Sequence, residues 1–219
     1  MKQKLRAAFA QTRRQMNLKN DFAGQSPAWP LDGQDRITVR EFHGAMPEPV
    51  FEAFYAIMTE SFPGVERRTR EDQRALLRKP AYRVWMLEDE GREIGFLAFW
   101  RFADFIYGEH FAFRNACRGK GVGTRVLRRM LRESLPLVGE VEPPDTEQAR
   151  RRIALYAREG FTVYPDYAYW QQPLRRGDPP TPLLLMSSRA DETPQTLDRY
   201  RDVLYREVYG VCPGGAVQP

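Results

Sequence analysis

The chain has 219 residues, of which 42% are hydrophobic and 12% aromatic, so it can bury a substantial core and is not a disordered protein. No apolar run approaches the roughly 18 residues that cross a membrane, and no signal-like hydrophobic stretch follows the basic start. Two cysteines, Cys117 and Cys212, are too few for a disulfide framework. These observations lead us to expect a soluble, cytoplasmic protein.

The net charge of +5 is concentrated at the N-terminus. Residues 1–20 contain six Lys or Arg residues and no acidic residue, so the remainder of the chain is close to neutral. The basicity therefore belongs to a tail and not to a nucleic-acid-binding surface of the body. The tail has helical periodicity, and a Gly- and Pro-rich linker follows it up to residue 35. A solvated extension, a transit peptide and an arm for nucleic acid or an acidic surface all fit this tail.

In chain order, the hydrophobic pattern predicts a mixed α+β fold with hairpins first and a β-α-β arrangement later. Strands are predicted over residues 36–42, 82–89, 92–102, 105–113, 135–143 and 181–188, with short β segments at "FTVY" and "YAYWQQ". Helices are predicted over residues 47–61, 70–79, 121–134, 145–160 and 194–209. The chain accordingly divides into a tail and linker (1–35), a body (36–190) and a closing helix with its tail (191–219).

The most informative stretch is "RGKGVG", residues 118–123, between a strand and a helix. Alternate glycines allow several backbone N–H groups to point inward, and the following helix N-terminus adds partial positive charge, so the loop fits a phosphate group. The alternative is that the glycines only make a flexible connection between the strand and the helix. A Walker A loop is excluded, because it would need a glycine at Arg114 and a hydroxyl residue at Gly121. A dinucleotide fingerprint would need Gly or Ala at Thr124 and a tighter turn after Phe113.

The stretch from Arg118 to Gly123 resembles the R/Q-x-x-G-x-G/A pyrophosphate loop of the GNAT superfamily, the acyl-CoA-dependent N-acetyltransferases. A second segment, "IALYAREGF" at residues 153–161, is similar to that superfamily's helix ending in L-Y-x-x-x-G-F. Glu109 also lies nine residues before Arg118, as a strand glutamate does in the family. The resemblance covers roughly residues 36–190 and departs from the pattern at Ala149, where many members carry Asn.

This resemblance implies a GNAT-like fold, with a central, mixed, mostly antiparallel twisted sheet of about seven strands flanked by helices. Its fourth and fifth strands are expected to be parallel and splayed. It also implies acetyl-CoA as the cosubstrate and no metal. The residues expected to bind the acetyl-CoA are Phe111, Ala112, Phe113, Arg118, Gly119, Lys120, Gly121, Val122, Gly123 and Thr124.

The implied reaction is transfer of acetyl to a primary amine by direct attack in a ternary complex, which needs a base for the amine and an acid for the thiolate. Tyr156 matches the motif tyrosine that faces the sulfur and is the expected acid, with a core tyrosine as the alternative. Glu109 and Glu142, on the two strands that splay, are the candidate bases. The alternative is that these glutamates only form salt bridges, or that a water chain acts as the base. Glu140 shares the strand parity of Glu142 and is a third candidate.

Other polar and aromatic residues have weaker signals. His43 and His110 lack the cluster of a metal site, and strand alternation predicts that His110 points away from Glu109. The arginines at 150–152 are expected on a solvated face, with contact to an anion as the alternative. Four aromatic residues either line an acceptor pocket or cover the core: Tyr164, Tyr167, Tyr169 and Trp170.

We expect the acceptor to be a small-molecule amine or an amine of a peptide or protein. Nucleic acid is disfavoured, no membrane is involved, and a homodimer is left open. The alternative function is a non-catalytic acyl-CoA-binding regulator whose basic tail docks on nucleic acid or a protein.

Overall fold

The computed structural model describes residues 26–32 and 36–211. The predicted N-terminal helix and Cys212 lie outside the described residues. Within the described ranges no helix is both long enough and apolar enough to cross a membrane. The order of the described elements follows the predicted α+β pattern, with hairpins before the β-α-β portion.

The described residues form a nine-stranded sheet in the order β1-β2-β3-β4-β5-β6-β9-β7, with β8 paired to the first residues of β9. The strands are β1 (Trp29–Pro30), β2 (Ile37–Phe42), β3 (Tyr82–Asp89), β4 (Arg92–Arg101), β5 (Ile106–Phe113), β6 (Leu137–Val141), β7 (Thr162–Val163), β8 (Tyr169–Gln171) and β9 (Thr181–Ser187). The count exceeds the expected seven because β1, β7 and β8 are very short.

Strand β1 lies within the stretch that the composition predicts to be a linker. Trp29 pairs with Val39, and Pro30 is tolerated because β1 is at the edge of the sheet. The indole of Trp29 packs edge-on against Trp85, with ring centroids 5.8 Å apart. This aromatic contact explains why a Pro-rich segment follows the sheet instead of leaving it.

Strands β5 and β6 are the parallel pair, as expected. Their pairing covers three residue pairs, from Ile106 with Leu137 to Gly108 with Gly139, and stops there. Beyond that point β5 continues along β4 to Phe113, while β6 continues along β9. The two strands therefore separate toward their C-terminal ends, which confirms the splay and leaves a gap inside the sheet.

Five α-helices within the described residues cover the two faces of the sheet. They are α1 (Glu48–Ser61), α2 (Arg70–Leu76), α3 (Val122–Met130), α4 (Glu147–Arg158) and α5 (Pro194–Val203). Apolar residues of α1, α2 and α5 share one core layer with the sheet, and those of α3 and α4 share the other. Short 3-10 turns follow α1 (Gly64–Glu66) and β5 (Asn115–Cys117).

Several helices end earlier or differently than predicted. The third helix ends at Met130, because Glu133 already bonds to the Met130 carbonyl in a tighter turn. The closing helix leaves α-helical geometry at Leu204 and continues as a π-helical turn over Leu204–Val208. Periodicity marks the apolar face of a helix but not its last hydrogen bond, so the predicted ends run long.

Thr146 caps α4, the helix that carries Tyr156. Its hydroxyl oxygen accepts a hydrogen bond from the Ala149 backbone N–H at 3.0 Å. At the other end, Gly160 takes a left-handed φ of 89°, which ends the helix where the sequence predicts. The cap fixes the start of α4 and thereby the position of Tyr156 two to three turns later.

Replacing Thr146 with Ala removes this acceptor and is expected to lower the free energy of unfolding by about 1 kcal/mol. Urea denaturation followed by circular dichroism measures the change. Thr146→Ser keeps the hydroxyl and should match the wild type; an equal loss in both variants would contradict the cap.

Candidate active site

A cleft of about 530 Å³ occupies the gap between β5 and β6. Its walls come from the segment after α1, the second half of β5, β6 and α4. Arg118 of the glycine loop lines one end, and Tyr156 lines the wall formed by α4. The structure thus brings Arg118, Tyr156, Glu109 and Glu142 to one cavity.

The expected acyl-carrier residues divide into two groups. Phe111, Ala112 and Phe113 line the cleft on the β5 side, where β6 no longer pairs with the strand. Residues 119–124 lie beyond the lining, at the N-terminus of α3. Backbone polar groups of β5 that face the gap lack a strand partner there, so the cleft offers hydrogen bonds as well as apolar walls.

The glycine loop enters α3 through two left-handed residues, Gly119 (φ 77°) and Gly121 (φ 74°). A Cβ at either position would meet no atom within 4 Å, so the backbone conformation, and not space, requires glycine. Gly121 is the N-cap of α3. Among the described residues no side chain caps this N-terminus, and its first turn contains no acidic residue. A helix N-terminus of this kind, with the positive end of its dipole uncompensated, suits an anion.

Arg118 connects the loop to the cleft. Its Nε donates to the Phe113 carbonyl at 3.0 Å, and its Nη2 donates to the Ser61 hydroxyl at 3.1 Å. These bonds hold the guanidinium between the end of β5 and the end of α1. A fixed positive charge therefore lies at the same end of the cleft as the N-terminus of α3.

A β-bulge in β5 sets the geometry at the other end of the cleft. Ala98 pairs with His110 and the adjacent Phe99 pairs with Gly108, so Glu109 is the extra residue. As a result the Nδ1 of His110 lies only 3.9 Å from the Oε2 of Glu109. The prediction that His110 points away from Glu109 is wrong, because alternation holds only where strand pairing is regular.

Glu109 is buried, with its side chain 2% exposed, and is paired with Arg68, whose side chain is 7% exposed. The Nη1 of Arg68 lies 2.5 Å from Oε1, and the indole N–H of Trp100 donates to Oε2 at 3.1 Å. Burial raises the pKa of Glu109, but the charge of Arg68 and the hydrogen bonds from Arg68 and Trp100 outweigh it and hold the pKa below its usual value. Glu109 is therefore a carboxylate at neutral pH.

His110 is buried in the wall of the same cleft. Its Nε2 lies 2.7 Å from the Glu66 backbone oxygen, and its ring packs edge-on against Phe62. Its Nδ1 has no hydrogen-bond partner within the part of the chain that the structure describes. Burial lowers the pKa of His110 more than the neighbouring Glu109 raises it, so the imidazole is neutral at pH 7.

Tyr156 is half-buried on α4, with its ring 5.5 Å from that of Phe161. Burial raises the pKa of Tyr156; Arg152 acts against this and Glu142 adds to it. The phenol therefore stays protonated well above neutral pH and can donate a proton into the cleft.

The three arginines of α4 do not share one environment. Arg151 pairs with Glu147 on the exposed face, and Arg150 donates to backbone carbonyls of the preceding turn. Arg152 instead pairs with Glu142 and lines the cleft. The solvated face predicted for this run holds for two of the three residues.

Glu140 is held in a different way from Glu109. Within the described residues its oxygens accept hydrogen bonds from four neutral donors and from no cation; the donors are Tyr107, Tyr169, Gln171 and Tyr209. Burial raises the pKa of Glu140 although these hydrogen bonds lower it. Both oxygens are engaged, so Glu140 joins β8 and the C-terminal segment to β6. Tyr169, expected either in a pocket or in the core, belongs to this buried cluster.

A smaller cavity of about 140 Å³ adjoins the cleft on the side of β8 and β9. The two cavities share the lining residues Phe62, Glu66, Glu109, His110, Glu140, Glu142 and Arg152. Four of these are glutamates and one is an arginine. Partial burial and the nearby Glu142 raise the pKa of Glu66, as expected where carboxylates outnumber cations. This end of the cleft therefore favours a positively charged guest.

Sequence reasoning missed Arg68 and Glu66, which lie in the connection between α1 and α2. They belong to no motif and reach the site from more than 40 positions away in the chain. One signal was present: a glutamate expected inside a strand needs a cation or a set of donors. The sequence therefore indicates that Glu109 has a partner, but it does not indicate which residue that partner is.

Comparisons with known proteins agree with this geometry. The family model described as "Acetyltransferase (GNAT) domain" matches residues 80–163. A solved structure from Bacteroides thetaiotaomicron, assigned to the GNAT family, is 34% identical with a TM-score of 0.69, and the match covers 74% of this chain and 93% of that one. The ribosomal-protein-S18-alanine N-acetyltransferase from Escherichia coli shares the fold at 18% identity and a TM-score of 0.50, over 72% of this chain and 97% of that one.

A curated relative, YjbC of Bacillus subtilis (strain 168), is classed among the acetyltransferases and is 30% identical over 112 residues. The match covers 49% of this chain and 56% of YjbC, so the chain spans little more than half of that relative's length. The matched family region contains β5, the glycine loop and α4, the elements that form most of the cleft.

Replacing Arg68 with Ala leaves the Glu109 carboxylate buried without its cation, and we expect the free energy of unfolding at pH 7 to fall by roughly 3–5 kcal/mol. Because the pKa of Glu109 is lowered in the folded state, the pair stabilises the fold above the usual carboxyl pKa, and this contribution is lost as the pH falls through the lowered value. Urea denaturation at several pH values measures both effects.

The double variant Arg68→Met with Glu109→Gln should recover most of the loss, since it removes both charges together. Arg36→Ala, which breaks an exposed pair with Asp89, is the matched control and should change stability little. A similar small effect for Arg68→Ala would contradict the buried pair.

Proposed function

This chain belongs to the GNAT family of acetyltransferases, and we propose that it transfers the acetyl group of acetyl-CoA directly to a primary amine in a ternary complex. The observation that carries the proposal is the cleft between β5 and β6. It runs from the cationic glycine loop, past the protonated Tyr156, to a lobe lined with carboxylates. One cavity therefore has room for an anionic carrier, a thioester and a cationic acceptor.

The carrier half of the cleft fits acetyl-CoA. The uncapped N-terminus of α3 at Gly121 and the guanidinium of Arg118 supply what a pyrophosphate needs: backbone donors and positive charge. The unpaired edge of β5 from Phe111 to Phe113 offers backbone groups to the amides of the pantetheine arm. In the proposed complex the thioester would lie in the gap beside Tyr156, which lines the cleft.

Tyr156 is the proposed acid. When the C–S bond breaks, the thiolate needs a proton, and a phenol with a raised pKa holds its proton until that moment. Its place in the wall of the cleft lets it reach the sulfur without crossing the acceptor lobe. The cationic Arg152 nearby would also favour the developing negative charge on sulfur.

Glu109 and Glu142 are proposed to attract the acceptor as its ammonium ion. Arg68 keeps Glu109 ionised, which suits binding a cation better than removing a proton from it. Glu142 lines this lobe and is paired with Arg152. When the cationic acceptor enters, Glu142 would exchange its ion pair with Arg152 for one with the acceptor. The acceptor favoured by this lobe is a small or unbranched primary amine that carries positive charge.

Release of free thiol from acetyl-CoA in the presence of an amine panel tests the proposal. Suitable acceptors are propylamine, 1,5-diaminopentane, spermidine, lysine amide and a lysine-containing peptide. Steady, amine-dependent release supports the enzyme. Tight acetyl-CoA binding with no release for any amine would favour the acyl-CoA-binding regulator, whose basic tail lies outside the described residues.

Replacing Gly121 with Ala is expected to weaken CoA binding roughly tenfold. In the left-handed conformation a residue with a Cβ is less stable by about 1–2 kcal/mol. The loop of the variant therefore leaves this conformation when no CoA is bound, and CoA binding has to restore it. Gly44→Ala is the matched control, because Gly44 has the same φ of 74°, equally open space and no place in the cleft. Calorimetric titration with CoA measures both, and equal weakening would contradict the anion site.

Replacing Tyr156 with Phe is expected to lower kcat by about a hundredfold with little change in the Kd of acetyl-CoA, because the hydroxyl acts on the leaving thiolate and not on the bound carrier. Tyr164→Phe, which removes a hydroxyl that bonds the Arg189 carbonyl outside the cleft, should retain full turnover. Unchanged kcat in Tyr156→Phe would remove this residue from the acid role.

A further inference from the structure

We propose that the Nδ1 of His110 and the Oε2 of Glu109, 3.9 Å apart in the lining of the cleft, together bind the acceptor's amine, and that His110 takes the proton of that amine through Nδ1. The assignment rests on the proposed acetyl transfer and adds to it the base and the place where the attacking nitrogen is held. It concerns a residue that strand alternation had placed on the wrong side of β5.

The hydrogen bond at Nε2 defines the tautomer. The partner of Nε2, at 2.7 Å, is the backbone oxygen of Glu66, and a carbonyl oxygen only accepts. Nε2 therefore carries the proton. Since the ring is neutral at pH 7, Nδ1 has a lone pair and no proton. A neutral imidazole oriented by a bond at one nitrogen is the form of histidine that acts as a general base at the other.

The surroundings of Nδ1 call for a donor. The Oε2 of Glu109, which is also an acceptor, lies 3.9 Å from Nδ1, and Nδ1 is buried without a hydrogen-bond partner in the described chain. Two buried acceptors that face each other without a proton between them are unfavourable unless a donor enters. An amine nitrogen carries two or three N–H groups and can donate to both, and both residues line the cleft.

The charges around the ring explain why it stays a free base despite nearby carboxylates. The groups that face His110 are Glu109 on its own strand, Glu66 and Arg68 from the connection between α1 and α2, Glu140 of β6, Glu142 just after β6, and Arg152 of α4. Burial and Arg68 oppose protonation of the ring. The charge of Glu109 favours it, so an imidazolium formed during the reaction is stabilised where it forms.

The proton balance is closed. The bound ammonium gives one proton to Nδ1 of His110, and the freed lone pair forms the C–N bond at the thioester carbonyl. The C–S bond then breaks and its electron pair takes the proton of Tyr156. The second proton of the amine nitrogen restores Tyr156, and the proton on His110 leaves to solvent. The products are the amide, the free thiol of CoA and one proton.

Nitrogen-15 NMR of the imidazoles tests the subsite without any turnover. The chain has two histidines, and the His43→Gln variant assigns the signals. We expect His110 to be the Nε2–H tautomer at pH 7 and its Nδ1 signal to shift in a saturable way on titration with 1,5-diaminopentane hydrochloride. The proposal would be overturned by a protonated Nδ1. It would also be overturned by an Nδ1 signal that does not shift with up to 100 mM diamine, a concentration of about the limit at which a weak millimolar site is still detected.

Kinetics test the base role, with whichever amine of the panel supports turnover. We expect His110→Gln to lower kcat about a hundredfold. The Kd of acetyl-CoA should stay within about twofold, and added imidazole should restore part of the rate. In the wild type the rate should fall only as the pH drops below the ordinary histidine value near 6.5, and this acid limb should be lost in the variant.

His43→Gln, on a half-buried histidine outside both cavities, is the matched control and should keep the wild-type rate. A His110→Gln variant with unchanged kcat, or one whose loss lies entirely in acetyl-CoA binding, would overturn the base role. Absence of turnover with every amine would instead overturn the proposed acetyl transfer, while the NMR titration still decides the subsite.

Discussion

The separation of β5 from β6 after three residue pairs is the constraint on which the rest of the molecule depends. A break inside a sheet leaves backbone N–H and C=O groups unpaired, and buried groups of this kind must find partners elsewhere. Here they face a cleft instead of a neighbouring strand. In the proposed function the amides of the carrier supply the missing hydrogen bonds, so the break in the sheet would be the means of binding.

The cleft contains two buried carboxylates that the fold stabilises by opposite means. Glu109 faces a buried arginine, which holds its pKa low, whereas Glu140 accepts bonds from tyrosines and a glutamine, and burial raises its pKa. The first arrangement fixes a negative charge in the wall of the cleft. The second binds the C-terminal segment to the sheet without adding a cation. The lining that the two cavities share therefore has more carboxylates than positively charged side chains.

Most of the fold could be predicted from the sequence, because alternation and helical spacing are local features that find β3, β4 and α1. The glycine loop could also be located, and Gly119 and Gly121 take the left-handed conformation that glycine permits, while its role in binding the carrier stays a prediction. The bulge at Glu109 could not be predicted, since one extra residue in a strand leaves no mark in composition yet reverses the side on which each later residue lies. That single residue brings His110 to the same side of β5 as Glu109, whereas strand alternation predicts that it points away.

The carboxylate-lined end of the cleft depends on contacts between distant parts of the chain, which is why Arg68 and Glu66 carry no motif. Arg68 joins Glu109 to the Val208 carbonyl, and Tyr209 joins the same C-terminal segment to Glu140. A change in the closing π-helical turn would therefore alter this end of the cleft without touching the glycine loop. Under the proposed function, such a change would act on the choice of acceptor and leave carrier binding intact.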